Sequence, residues 1–189
     1  MSKIRMKAGT LLSPLPPVLV SCSDGEKDNL ITRAWTGILN SDPPKTYISV
    51  RPERFSHGII ERSREFVINL PSSKLLRAID LCGVKSGRDV DKFDLCKLDK
   101  EKAEHVSCPV VAQSEISIEC RVSDIIRLGS HDMFMADILG VDVNEELIDE
   151  KGKIHFPKAS LMAYVHGEYF ALGKRIGSFG CSVRKKKKR

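Results

Sequence analysis

The chain has 189 residues, of which 41% are hydrophobic and 30% charged, the balance of a globular protein rather than a disordered one. Its longest apolar runs span only a few residues, too short for a membrane helix, and the basic N-terminus lacks the apolar core and cleavage site of a signal peptide. The net charge of +6 sits wholly in the terminal block Arg184-Lys185-Lys186-Lys187-Lys188-Arg189. That block holds no aromatic residue, so it reads as a solvated tail (181–189) rather than a nucleic-acid surface.

The body, residues 10–180, reads as one domain without repeats. Leu15–Ser21 is expected to be a first strand with proline at its edge, turning at Ser23-Asp24-Gly25. Asn29–Asn40 is expected to run extended. Ser41-Asp42-Pro43-Pro44 is a turn, because two prolines exclude helix there, and Lys45–Val50 is the next strand. Glu53–Arg64 places Phe55, Ile59 and Ile60 on one helical face, with Ser56 in the first turn. Phe66–Leu70 is β-branched and aromatic, hence a strand that Pro71 stops.

A second helix is expected next, capped by Ser72 or Ser73, with Leu75, Leu76, Ile79 and Cys82 on its apolar side and Gly83 at its end. Lys85–Leu98 reads as a long polar loop, a kind of segment that is often functional. Ile116–Val122 alternates with period two, Leu128–Asp132 has hairpin chemistry, and Met133–Val143 is a second long strand. Antiparallel strands with two helices between them imply a mainly β fold with α additions, barrel-like in form.

The six cysteines stand singly, with no C-x-x-C pair, which implies reduced thiols in a cytoplasmic protein and no local zinc or dithiol centre. The histidines offer no metal pair either. The stretch Asn29–Leu70 is more informative. An apolar strand ending in Arg51-Pro52, followed by a helix start carrying Ser56, brings an arginine, a hydroxyl and free amides to one point. That is phosphate chemistry, and the only tryptophan, Trp35, lies upstream to meet a flat ring.

These residues carry a likeness to a family. The chain resembles the flavin reductase-like proteins, the flavoredoxin branch above all, from about Pro14 to Gly180. The shared marks are Asn29-x-x-Thr32-x-Ala34-Trp35-x-Gly37, Asp42-Pro43-Pro44, Ser49-Val50-Arg51-Pro52, Glu65-Phe66-Val67-Ile68-Asn69, Ser86-Gly87-Arg88 with Asp91-Lys92-Phe93, and Gly129-Ser130-His131-Asp132.

The resemblance implies an FMN-binding split β-barrel, Greek-key and antiparallel. By residue, it implies that Asn29 hydrogen-bonds the cofactor, that Trp35 and Tyr164 lie near the flavin ring, that Ser56 and Lys92 meet the phosphate, and that His131 touches the cofactor. Thr36, beside Trp35, is a further candidate, and Arg51 is added on grounds of charge. No catalytic residue and no metal is expected, since flavin performs the chemistry itself. The implied activity is a flavin oxidoreductase fed by NAD(P)H, with a carrier reduced by a redox protein as the alternative. A homodimer is implied as well.

Overall fold

The computed structural model describes residues 1–183, so the terminal cation block lies outside the described residues. Seven strands form one antiparallel sheet: β1 (Val18–Ser23), β2 (Asp28–Arg33), β3 (Thr36–Ser41), β4 (Pro44–Val50), β5 (Glu65–Leu70), β8 (Ile116–Arg127) and β9 (Asp132–Val143). Their order across the sheet is β2-β1-β5-β8-β9-β4-β3. Strands β2 and β3 are therefore opposite edges, yet only Ala34 and Trp35 separate them in the chain. The sheet must roll until its edges meet. No ladder joins β2 to β3, so the barrel remains open along that seam.

Among the described residues, three α-helices pack on this frame: α1 (Phe55–Ser63), α2 (Leu76–Val84) and α3 (Lys92–Cys96). Two small hairpins, β6 (Lys100–Lys102) with β7 (Pro109–Val111) and β10 (Met162–Val165) with β11 (Glu168–Ala171), complete it. Every residue of β1 is buried, because that strand is covered on both faces. Val18, Val20 and Cys22 join Ile48, Phe66, Phe134 and the α1 residues Ile59 and Ile60 in the main core. Leu19 packs instead with Leu30, Ile79, Cys82 and Phe93 beneath α2 and α3. Burying each such aliphatic or aromatic side chain contributes about 1.5–3 kcal/mol.

Several elements differ from the sequence expectation. The extended run 29–40 is two strands broken at Ala34-Trp35. The first strand begins at Val18 because Pro16 and Pro17 lack a donor for the ladder. Leu15 instead pairs with Tyr164 through bonds of 3.0 and 2.8 Å, which ties the β10–β11 hairpin to the barrel. Neither Ser72 nor Ser73 caps α2 with its side chain; a 3-10 turn, Ser73–Leu75, leads into the helix. Gly83 stays helical, and the helix ends one residue later. The loop 85–98 contains α3, whose cap Asp91 accepts from the amides of Phe93 (2.9 Å) and Asp94 (3.2 Å). The hairpin at Leu128–Asp132 forms as expected, with Gly129 at φ 94°, a backbone region that glycine adopts freely.

Candidate functional site

Period-two alternation places Asn29, Ile31 and Arg33 on one face of β2. Along that face lie two cavities. The first, of about 400 Å³, is walled by Asn29 and Ile31, by Arg51 at the end of β4, by Arg54 and Ser56 at the start of α1, and by the segment after α2. Asn29 and Ser56 are both buried, and the Asn29 carboxamide Nδ2 donates to Ser56 Oγ at 2.7 Å. Arg54 precedes α1 in extended conformation without a side-chain cap, so the first turn needs acceptors for its free amides. The positive end of the helix dipole adds to the attraction for an anion.

Lys92 is buried at 3% exposure, and its ammonium donates to Leu30 O at 2.7 Å and Cys82 O at 2.9 Å. An ammonium has three donors, so one remains for the cavity that Lys92 lines. Burial holds the Lys92 pKa below the usual lysine range. The facing segment is braced from outside, where Lys27 Nζ donates to Gly87 O at 2.7 Å. A side chain at position 87 has no room: a Cβ would fall 2.6 Å from Asn29 Cγ and 2.8 Å from Phe55 Cδ1. Next to it, Arg88 lies 5.8 Å above the Phe55 ring.

The second cavity, of about 340 Å³, is walled by Arg33, Trp35, His131, Tyr164 and Tyr169 among others. Trp35 and His131 lie 4.5 Å apart between ring centroids at 36°, and Tyr164 and Tyr169 lie 5.4 Å apart. His131 is buried, with Nδ1 3.0 Å from Ser130 Oγ. Burial first, then Arg51 and Arg33, push its pKa below the ordinary histidine value. Arg33 is unusual. Its Nε is buried without a hydrogen-bond partner, and burial, with Arg54 and Arg51 nearby, lowers the guanidinium pKa to about 10.

Arg54 lines both cavities, so the cationic end and the aromatic end adjoin. The fold brings Asn29, Arg51, Ser56 and Lys92 to the first cavity and Trp35, His131 and Tyr164 to the second. Thr36 lines neither; its hydroxyl donates to Tyr47 O at 2.6 Å and ties β3 to β4. Sequence reasoning did not nominate Arg33, Arg54, Gly87, Arg88 or Tyr169. For Arg54 and Arg33 a signal existed, since one lies at the helix start and the other shares a strand face with Asn29.

Residues 11–173 match the flavin reductase like domain. The chain belongs to this family. Its fold is the family's flavin-binding split barrel, here with the sheet unclosed. The flavoredoxin of Desulfovibrio vulgaris (Miyazaki F) is 29% identical, with a TM-score of 0.88 over 94% of this chain and 97% of its own. An FMN-binding protein from Thermus thermophilus shares the fold, at 24% identity and a TM-score of 0.79 over 94% of this chain and 99% of that one. An NADPH-flavin oxidoreductase of Streptomyces viridifaciens is 26% identical over 75% of this chain and 74% of its own length. Family membership supports flavin binding and a flavin-related redox function.

Proposed function

We propose that this protein binds one FMN per chain without a covalent bond and works as a flavin oxidoreductase. The observation that carries this reading is the junction at Arg54: a cavity rich in cations and free amides opens beside one lined with aromatic rings. A phosphorylated flavin has the same polarity along its length. The residues fit the group. Arg33 Nε lacks a partner, and Arg51, Arg54 and Lys92 converge on space that holds no carboxylate except that of Glu53.

Bound flavin would supply the redox chemistry, accepting hydride from NAD(P)H and passing the electrons to an acceptor. The chain's part is to bind and orient. Ser56, Lys92 and the amides of α1 would hold the phosphate, while Trp35, His131 and Tyr164 would border the ring. Neutral His131 offers a hydrogen bond without adding another cation. Trp35, 39% exposed, leaves the ring end open to a second molecule.

That opening also favours a second reading, an electron-transfer flavoprotein reduced by a protein partner, to which the similarity with a flavoredoxin adds weight. We further propose a homodimer. Ile38 and Leu39 stand 70% and 42% exposed on the edge strand β3, directly after Trp35, and an apolar edge of this kind calls for a cover.

Incubation with FMN, gel filtration and denaturation test the binding step. One FMN released per chain is the expected result. Protein that leaves the column colourless would refute the reading.

A further inference from the structure

Cys82 on α2 and Cys96 at the end of α3 stand 14 residues apart in sequence, in no dithiol motif, and the fold brings their sulfur atoms to 3.8 Å. Cys82 is buried and Cys96 is half-buried, so the pair is reached from the Cys96 side. The chain between them holds Lys85, Ser86, Gly87, Arg88 and Lys92, every one of which lines the phosphate-side cavity. Lys92 already bonds back to the carbonyl of Cys82 at 2.9 Å. A disulfide needs about 2.05 Å between its sulfurs, a closure of under about 2 Å from the present contact.

We propose that Cys82 and Cys96 are a reversible redox site whose disulfide staples together the two ends of the phosphate-side segment. The oxidant is a hydroperoxide, hydrogen peroxide being the simplest. The Cys96 thiolate attacks one peroxide oxygen, giving a sulfenic acid and, with one proton, water. The Cys82 thiol then attacks that sulfur, the S–S bond forms, and the sulfenic oxygen leaves as a second water. Two thiols lose two electrons and two protons, and one peroxide becomes two waters. Cys96 is the half-buried partner and meets the peroxide first; burial pushes the Cys82 thiol up to about 12, so Cys82 attacks second, its proton passing to the departing sulfenic oxygen as the bond forms.

Closing a loop at its base restricts the conformations that an empty phosphate site can adopt. The oxidised form therefore holds its segment more rigidly and releases a phosphorylated ligand more slowly. The ligand effect rests on the FMN reading above, whereas the bond and the rigidity do not.

The test treats the full chain, with and without FMN, with dilute hydrogen peroxide and then dithiothreitol. Peptide mapping after alkylation should show a Cys82–Cys96 linked peptide that dithiothreitol abolishes. Hydrogen exchange across residues 83–95 should slow in the oxidised form, and FMN dissociation should slow several-fold. Cys96→Ser should lose all three effects while remaining folded, and Cys82→Ala serves as the second variant. Absence of the linked peptide, or a linked peptide that changes neither exchange nor FMN release, would overturn the proposal. Slowed FMN release persisting in Cys96→Ser would overturn it too. A linked peptide with slowed exchange in a chain that takes up no FMN would support the staple and refute the FMN reading.

Discussion

Asn29 Nδ2 donates to Ser56 Oγ at 2.7 Å, joining the second strand of the barrel to the first turn of its first helix. The bond fixes which way each side chain points, since the amide uses one donor and the hydroxyl keeps its own proton for another acceptor. Two segments 27 residues apart thereby share one wall of the cationic cavity.

Ser56→Ala should weaken FMN binding and affect riboflavin, which lacks the phosphate, far less. Losing a hydrogen bond to a charged group costs about 1.5–3 kcal/mol, or about 10- to 150-fold in affinity. Lys92→Ala should act in the same direction and also lower Tm, because the carbonyls of Leu30 and Cys82 lose their donor. Titration calorimetry with both ligands separates these effects. Equal losses for FMN and riboflavin would mean that neither residue meets the phosphate.

Gly87→Ala should damage the site more than an exposed loop substitution normally does. The new methyl would collide with Asn29 and with Phe55, displacing the carboxamide that holds Ser56. Overpacking of this kind costs about 1–3 kcal/mol. A lower Tm together with weaker FMN binding is expected, and an unchanged value of both would show that the segment moves aside freely.

His131 sets a pH dependence. Its pKa is depressed in the folded state, so the unfolded chain binds more protons at mildly acid pH. The neutral ring's contribution is complete above the unfolded value near 6.5 and is lost as pH falls through the folded value. Tm measured from pH 8 down to pH 5 should therefore fall less steeply for His131→Gln than for the native chain. Parallel curves would place the titration elsewhere.

Homodimerisation through the β3 edge should respond to Ile38→Lys and Leu39→Lys. Both side chains are exposed, so charge there should spare the fold and break the association. Sedimentation of the native chain as a dimer at micromolar concentration, and of the double variant as a monomer, is expected. A native monomer that still carries FMN would refute the dimer.

Much of the barrel was legible because its signals are local. A β-branched and aromatic run marked β5, period-two alternation marked β8, and the double proline marked the β3–β4 turn. The break at Ala34-Trp35 was not, since what bends the chain there is the rolling of the sheet, a non-local event. Asp91 could have announced α3, but a helix of five residues carries too little periodicity to read. Lys92 was nominated by resemblance, while its burial on two carbonyls has no sequence trace. Arg33 and Tyr169 enter the site through strand register and hairpin docking, and Cys82 meets Cys96 only because α3 packs on α2.

The most direct measurement is anaerobic stopped-flow mixing of the FMN-loaded protein with NADH and, separately, NADPH, followed at the flavin absorption band. Trp35→Ala serves as the comparison. No dinucleotide-binding glycine motif is present, so the nicotinamide cofactor should bind weakly and saturate late, yet bleach the flavin by meeting it in a productive geometry. Bleaching by at least one of the two, slowed in Trp35→Ala, is the expected result. If neither bleaches the bound flavin over minutes while dithionite does so at once, the oxidoreductase reading is wrong and the protein is a carrier reduced by a partner.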